Sequence, residues 1–302
     1  MRLPTCTLPM RRSMHGNADG LLMTTESITF WYGCNVVRHG DVVRASIALL
    51  EAVGIEVQPA GGPAYCCGTT KDANVRAAEG MAVRTVEKFN AIGKNVVTWC
   101  PSCHRHMDSF IGAYTTPQFE VLHITEVLHR HRDRLAAKLI HPIPRRVALH
   151  THMGFREVDV NGLVIDLLRL IPGLEIAEVE DAAPAHMCSA LAALPDVMAK
   201  VTHSHVEMAK RAGAQDLVTI FHSCQRLLCG LAATQPFGVV NYVSLLARAM
   251  GMALKDEYTA WKIAPCENDA VAMIGPERIK RAGAEFFNKQ VLPEIRRKPR
   301  IR

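Results

Sequence analysis

Cys103 lies thirty-six positions after Cys67, and Cys224 lies thirty-six positions after Cys188. This matched interval constrains the fold more than any other feature of the chain. An offset of about 120 residues also lays Arg146–His150 on the opening strand, 163–171 on the first helix, and Val218-Thr219-Ile220-Phe221 on Val97-Thr98-Trp99-Cys100. One supersecondary unit present twice accounts for all of these coincidences. In the first copy, Ile28–Tyr32 is a short apolar run that reads as a buried strand. A helix is predicted from about Asp41, with Val42, Val43, Ile47, Leu50 and Val53 at helical spacing and Gly54 as its stop. Ile55–Val57 follows as a second strand, 64–68 as a loop, 75–92 as a helix stopped by Gly93, and Asn95–Trp99 as a third strand. Strands alternating with helices predict an α/β fold: two repeated Rossmann-like units with parallel sheets.

The first unit carries five cysteines: Cys34 in Tyr32-Gly33-Cys34, the pair Cys66-Cys67 in Tyr65-Cys66-Cys67-Gly68, and Cys100 and Cys103 in Cys100-Pro101-Ser102-Cys103. Each group follows a predicted strand. In parallel sheets, sites form beyond the C-terminal strand ends, so three separate loops should deliver thiolates to one point. Soft sulfur ligands gathered in this way suit zinc or iron and sulfide. Zinc ordinarily takes four ligands, which leaves a fifth cysteine surplus. A disulfide between the adjacent cysteines, or free thiols, is the remaining reading. Gly33, Gly68 and Pro101 suit tight loops that bring backbone amides close to such a centre.

This five-point layout resembles the cysteine-rich CCG module of the heterodisulfide reductase B subunit and its relatives. The resemblance implies that Cys34, Cys66, Cys67, Cys100 and Cys103 are the ligands of one non-cubane [4Fe-4S] cluster acting on disulfides. Cys66 and Cys67 would then lie at the catalytic centre. His104 and His106 follow the last cysteine; His104 is the candidate proton donor to a leaving thiolate, and the alternative for both is a place on a helix surface. Family members commonly carry two complete modules, and this chain departs from that pattern. Cys34 falls on Met153, Cys66 on Met187 and Cys100 on Phe221, so only Cys188 and Cys224 remain in the second copy. One good and one decayed module look most like the heterodisulfide reductase-like complexes of sulfur-oxidising bacteria. A ferredoxin-like subunit and a flavin-bearing subunit are then the implied partners, with a lipoate-binding protein or a small disulfide as substrate. CCG modules also occur in electron-transfer subunits of glycolate oxidase and some succinate dehydrogenases, and a structural zinc-bearing scaffold subunit is a further alternative.

The second copy also holds Cys229 and Cys266, with His150, His152, His186 and His222 near the same strand ends. A zinc site on Cys188 and Cys224, completed by His152 or His222, is one reading. A pocket for a substrate or for a partner's lipoyl or thiol group is another. The plainest is a structural half whose cysteines pack as small hydrophobes beside Met153 and Met187.

Composition excludes several classes. The chain has 302 residues, 49% of them hydrophobic, which provides for two cores. Its division is expected as an over-long or disordered stretch over 1–26, a CCG module over 27–143, and a degenerate module with a basic tail over 144–302. The region 114–144 should link the halves and contain a helix near Glu126–Arg132. Met23 is the expected start, and no apolar run reaches membrane-spanning length. A net charge of +6, 6% aromatic residues and no nucleic-acid motif argue against a nucleic-acid partner. Neither a ferredoxin cysteine run nor a G-x-G-x-x-G turn is present, so electrons would come from other subunits. A large chain with ten cysteines and no convincing secretory signal points to the reducing cytoplasm.

Overall fold

The computed structural model describes residues 26–34, 38–68, 74–107, 115–154, 157–179 and 182–299. The expected N-terminal extension and the last residues of the basic tail lie outside them. The first half runs β1 (Glu26–Gly33), α1 (Gly40–Ala52), β2 (Ile55–Gly61), α2 (Val75–Ile92), β3 (Asn95–Thr98), α3 (Pro101–His106), β4 (Val121–His123), α4 (Ile124–Arg130) and α5 (Arg132–Ala136). The second runs β5 (Arg146–His150), α6 (Val160–Leu168), β6 (Glu175–Val179), α7 (Pro195–Arg211), β7 (Asp216–Thr219), α8 (His222–Leu228), β8 (Gly238–Asn241) and α9 (Tyr242–Ala249). Short helices between Glu257 and Arg296 complete the chain.

Each half builds a four-stranded sheet, and the strand orders β2-β1-β3-β4 and β6-β5-β7-β8 are the same. All pairings are parallel. The internal repeat is therefore a repeat of topology, and its register is fixed at one place. Trp31 pairs with Thr98 in the first sheet and His150 pairs with Thr219 in the second. Trp31 and His150 are thus equivalent, and two residues on, Gly33 corresponds to His152.

Two details differ from the expectation. The region between the halves contributes a strand, β4, as well as a helix, and β8 is its counterpart. Both are only three or four residues long. The side chain before each following helix caps it: His123 accepts from the Thr125 amide and Asn241 from the Val243 amide. Helix α6 begins at Val160 because Asp159 caps it, accepting from the Gly162 amide at 3.0 Å.

The two halves meet through helices. α1 packs on α9 and α4 packs on α6, which the repeat relates as equivalent contacts. Leu49, Leu50, Leu128, Leu167, Leu168 and Leu246, all fully buried, join both halves in one apolar core. Burial of such a side chain contributes on the order of 1.5–3 kcal/mol. A smaller core cluster lies on the other face of the first sheet, where Trp31, Val86, Phe89 and Met107 surround Cys67, Cys100 and Cys103. Among the described residues, no helix is long and apolar enough to cross a membrane.

Candidate functional site

The five cysteines of the first half converge at the C-terminal edge of β1, β2 and β3. Cys34 follows β1. The chain leaving β2 makes a tight turn over Pro63–Tyr65 and reaches Cys66 and Cys67. Cys100 leads into α3, with Pro101 in its first turn, where a missing amide hydrogen costs nothing. The His104 amide donates to the Cys100 carbonyl at 3.0 Å, which closes the Cys100–Cys103 turn.

The loop carrying the cysteine pair is held on several sides. Trp31 donates its indole hydrogen to the Tyr65 carbonyl at 2.9 Å, and the Thr85 hydroxyl donates to the Cys66 carbonyl at 2.9 Å. The Tyr65 ring stacks on Phe89, with centroids 5.4 Å apart. Gly68 has a φ of +91°, and a Cβ there would lie 2.7 Å from the Ala78 carbonyl oxygen. Glycine is therefore required both by conformation and by the close approach of α2. At Gly33, a Cβ would sit 3.0 Å from Cys100 Cβ and 3.5 Å from Cys103 Sγ. Arg38, four residues after Cys34, pairs with Glu294 at 2.9 Å. Burial opposes ionisation of Glu294, but Arg38 and Arg226 hold its carboxyl below the usual carboxylate range.

Four of the five thiols are buried and Cys34 is partly exposed, which puts the open side of the site at Cys34. The thiols act on one another. A hydrogen bond to Cys66, then burial, push Cys34 above its ordinary value, with Cys100 and Cys67 adding repulsion. Hydrogen bonds to Cys100 and Cys67 raise Cys103, while the bond from Cys103 holds Cys100 low despite burial. Gathered thiolates repel each other without a cation among them. Five sulfurs around one point are thus a donor set that fits a soft, positively charged centre.

His104, expected as a proton donor, is buried, and its Nδ1 lies 3.2 Å from Thr98 Oγ1. Its ring packs edge-to-face on His123. The second half repeats this link, with Thr219 donating to Gln225 Oε1 at 2.8 Å. A strand-to-helix hydrogen bond at this position is thus present in both copies, once with His and once with Gln. His106 is buried as well.

At the equivalent place in the second half, His150, His152, Cys188 and Cys224 bring four ligand atoms within 4.8 Å of one another, a group that could hold a metal ion. His150 Nε2 lies 3.1 Å and His152 Nε2 3.3 Å from Cys188 Sγ. Burial disfavours charge on His152, but Cys224 outweighs it and raises that imidazole above its ordinary value. Burial opposes ionisation of Cys224 too; Cys188 and the two imidazoles nevertheless hold it well below an ordinary thiol. The other residues singled out in this half go elsewhere. His222 packs against Trp99 with ring centroids 5.5 Å apart. His186 Nε2 lies 3.1 Å from Ser102 Oγ of the first half. Cys229 is buried, with its thiol 3.8 Å from the Arg226 carbonyl, and Cys266 is exposed. Met153 is 70% exposed, so it lines no closed pocket, while Met187 is buried. A second group, His39, Asp41 and Asp256, has its ligand atoms within 4.8 Å of one another and had no signal in the sequence, since Asp256 is remote from the other two.

Residues 28–108 match the family model described as CCG, a cysteine-rich domain. Against curated proteins the sequence has no match. Among solved structures, one similar chain is a cysteine-to-serine mutant of the Nocardia farcinica maleate cis-trans isomerase with a covalently bound succinylcysteine intermediate. It is 15% identical, covers 75% of this chain and 93% of its own, and has a TM-score of 0.30, too low to carry an argument.

Proposed function

We propose, from the match of residues 28–108 to the CCG cysteine-rich domain, that the chain is the subunit of a redox complex in which thiol–disulfide chemistry takes place. The observation that carries this reading is the convergence of Cys34, Cys66, Cys67, Cys100 and Cys103, from three strand-end loops, on one site that opens at Cys34. In this proposal the five thiolates hold a non-cubane [4Fe-4S] cluster. When bound, that group would supply one-electron redox steps and an iron able to take a substrate sulfur.

The chain's own residues make the rest of the site. Trp31, Val86, Phe89 and Met107 exclude water from the inner side of the cysteines. The bonds from Trp31 and Thr85 fix the loop that carries the cysteine pair. Arg38, four residues after Cys34, is held by its ion pair with Glu294. Substrate sulfur would approach from the Cys34 side. Reduction of a disulfide consumes two electrons and two protons and yields two thiols; oxidation of a dithiol reverses this. The electrons would travel through a ferredoxin-like partner and a flavin-bearing partner in the same complex. Lipoate-bound sulfur in a cytoplasmic sulfur-oxidising complex is the proposed substrate.

The test is EPR of the anaerobically purified protein before and after addition of dihydrolipoyl or small disulfide substrates, with Cys66→Ser as the comparison. A paramagnetic signal that changes with substrate and disappears in the variant is expected. An iron signal indifferent to every thiol and disulfide would refute the catalytic role and leave an electron relay.

A further inference from the structure

The first and second halves share a backbone plan but differ in donor set, and the register shows how. Gly33 in the first half, with φ +80°, lies so close to Cys100 and Cys103 that a Cβ there would sit 3.0 Å from Cys100 Cβ, while its counterpart in the register, His152, carries an imidazole. Trp31 is likewise replaced by His150. The second half has thus lost three thiolates, at Met153, Met187 and Phe221, and gained two imidazoles at the same strand end. Five soft donors have become four, two nitrogen and two sulfur.

We propose that the second half binds one zinc ion in a closed tetrahedral site formed by Nε2 of His150, Nε2 of His152, Sγ of Cys188 and Sγ of Cys224. Zinc–sulfur bonds near 2.3 Å and zinc–nitrogen bonds near 2.0–2.1 Å place neighbouring donors about 3.3–3.8 Å apart around a tetrahedron. The separations of 3.1 and 3.3 Å from Cys188 Sγ to the two imidazole nitrogens are close to those edges. All four residues are at most 1% exposed, which leaves no open position for water or substrate and marks a structural site. Two thiolates, two neutral imidazoles and a divalent cation sum to zero charge, the combination that a buried position tolerates best.

The surrounding groups set the tautomer the metal needs. His152 Nδ1 lies 3.2 Å from the Pro184 carbonyl, so it carries the hydrogen and leaves Nε2 as the lone-pair donor. Asn161 donates to the His152 carbonyl at 2.7 Å, and His205 packs edge-to-face on His150, with ring centroids 4.0 Å apart. The site is also joined to the first half. Cys188 follows His186 and Met187, and both touch Ser102, one of the two residues between Cys100 and Cys103. An ion fixed at Cys188 would therefore anchor the outer turn of the five-cysteine site.

The experiment is metal analysis of the full-length protein, purified anaerobically with zinc in the medium, together with X-ray absorption at the zinc edge and cobalt exchange. About one zinc per chain, two sulfur and two nitrogen neighbours, and the visible spectrum of tetrahedral thiolate-bound cobalt are expected. Cys224→Ser and His152→Ala should each lose most of the zinc, whereas Cys66→Ser should keep it. The wild-type spectra decide the matter even if a core variant fails to fold. Less than a tenth of an equivalent of zinc in the wild type, ligation by sulfur alone, or zinc retained in Cys224→Ser would overturn the proposal. Iron measured in the same samples reports on the five-cysteine site separately, so either site can fail without the other.

Discussion

Gly68→Ala should damage the five-cysteine site, and the size of the effect can be worked from two distances. The residue sits at φ +91°, where an L side chain is strained by about 1–2 kcal/mol. The added Cβ would also lie 2.7 Å from the Ala78 carbonyl oxygen, while 3.4 Å is the near limit of ordinary contact. The Ala78 carbonyl is backbone and cannot rotate away, so relief requires the Cys66–Gly68 loop to move from α2 by about 0.7 Å. Strain and clash together cost roughly 2–4 kcal/mol, or about 3–6 °C in Tm for a chain of 302 residues. Gly93→Ala is the control. It shares the positive φ, at +71°, but nothing lies within 4 Å of its Cβ, so it should lose only about 1–2 kcal/mol. Thermal unfolding and iron retention against a chelator would be measured on both variants. A site held to about half an ångström should release iron faster in Gly68→Ala alone. Equal Tm losses and equal iron retention in the two variants would refute the role given to the α2 contact.

Other consequences follow from the same contacts. Thr85→Val removes the buried donor to the Cys66 carbonyl and should cost about 1–3 kcal/mol, read by denaturant unfolding; a neutral result would mean that the carbonyl has another partner. His104→Gln copies Gln225 of the second half and should leave stability and iron content nearly unchanged, while loss of one limb of the pH–rate profile would identify His104 as the proton donor and an unchanged profile would refute that role. Burial raises Asp41 from 3.8 to about 6. Its folded-state affinity for a proton thus favours folding fully below pH 3.8, and this contribution fades as pH rises through 6, a difference of about 3 kcal/mol. Asp41→Asn should therefore raise Tm at pH 7.5 and do little at pH 4. A pH-independent effect would remove burial of the carboxylate as its cause.

Much of the fold was legible because the strongest signals were local. Apolar runs gave β1, β3 and β5, and α2 is bounded as its sequence suggests, with Asn74 accepting from the Ala77 amide at its start and Gly93 in the left-handed conformation at its end. β4 and β8 were not legible, since three or four residues at a sheet edge are too short for a periodic pattern. Their register comes from pairing with β3 and β7, which is a tertiary fact. The start of α6 depended on a single cap, Asp159.

The sites divide along the same line. The cysteines of both halves stood out through spacing. The imidazoles did so only in part: His150 and His152 were visible near a strand end, but their equivalence to Trp31 and Gly33 needed the sheet register. His222 was as good a candidate as His152 by position, yet at the start of α8 its ring packs against Trp99. The His39, Asp41 and Asp256 group was illegible because it assembles from α1 and a loop at the opposite end of the chain.

The most direct test of the proposed redox centre is iron and acid-labile sulfide content of the anaerobically purified full-length protein, wild type against Cys66→Ser. About four irons and matching sulfide per wild-type chain, largely lost in the variant while zinc is kept, is the predicted result. A wild-type protein with zinc but no iron, or iron undiminished by Cys66→Ser, would contradict the assignment of the five cysteines to an iron–sulfur centre.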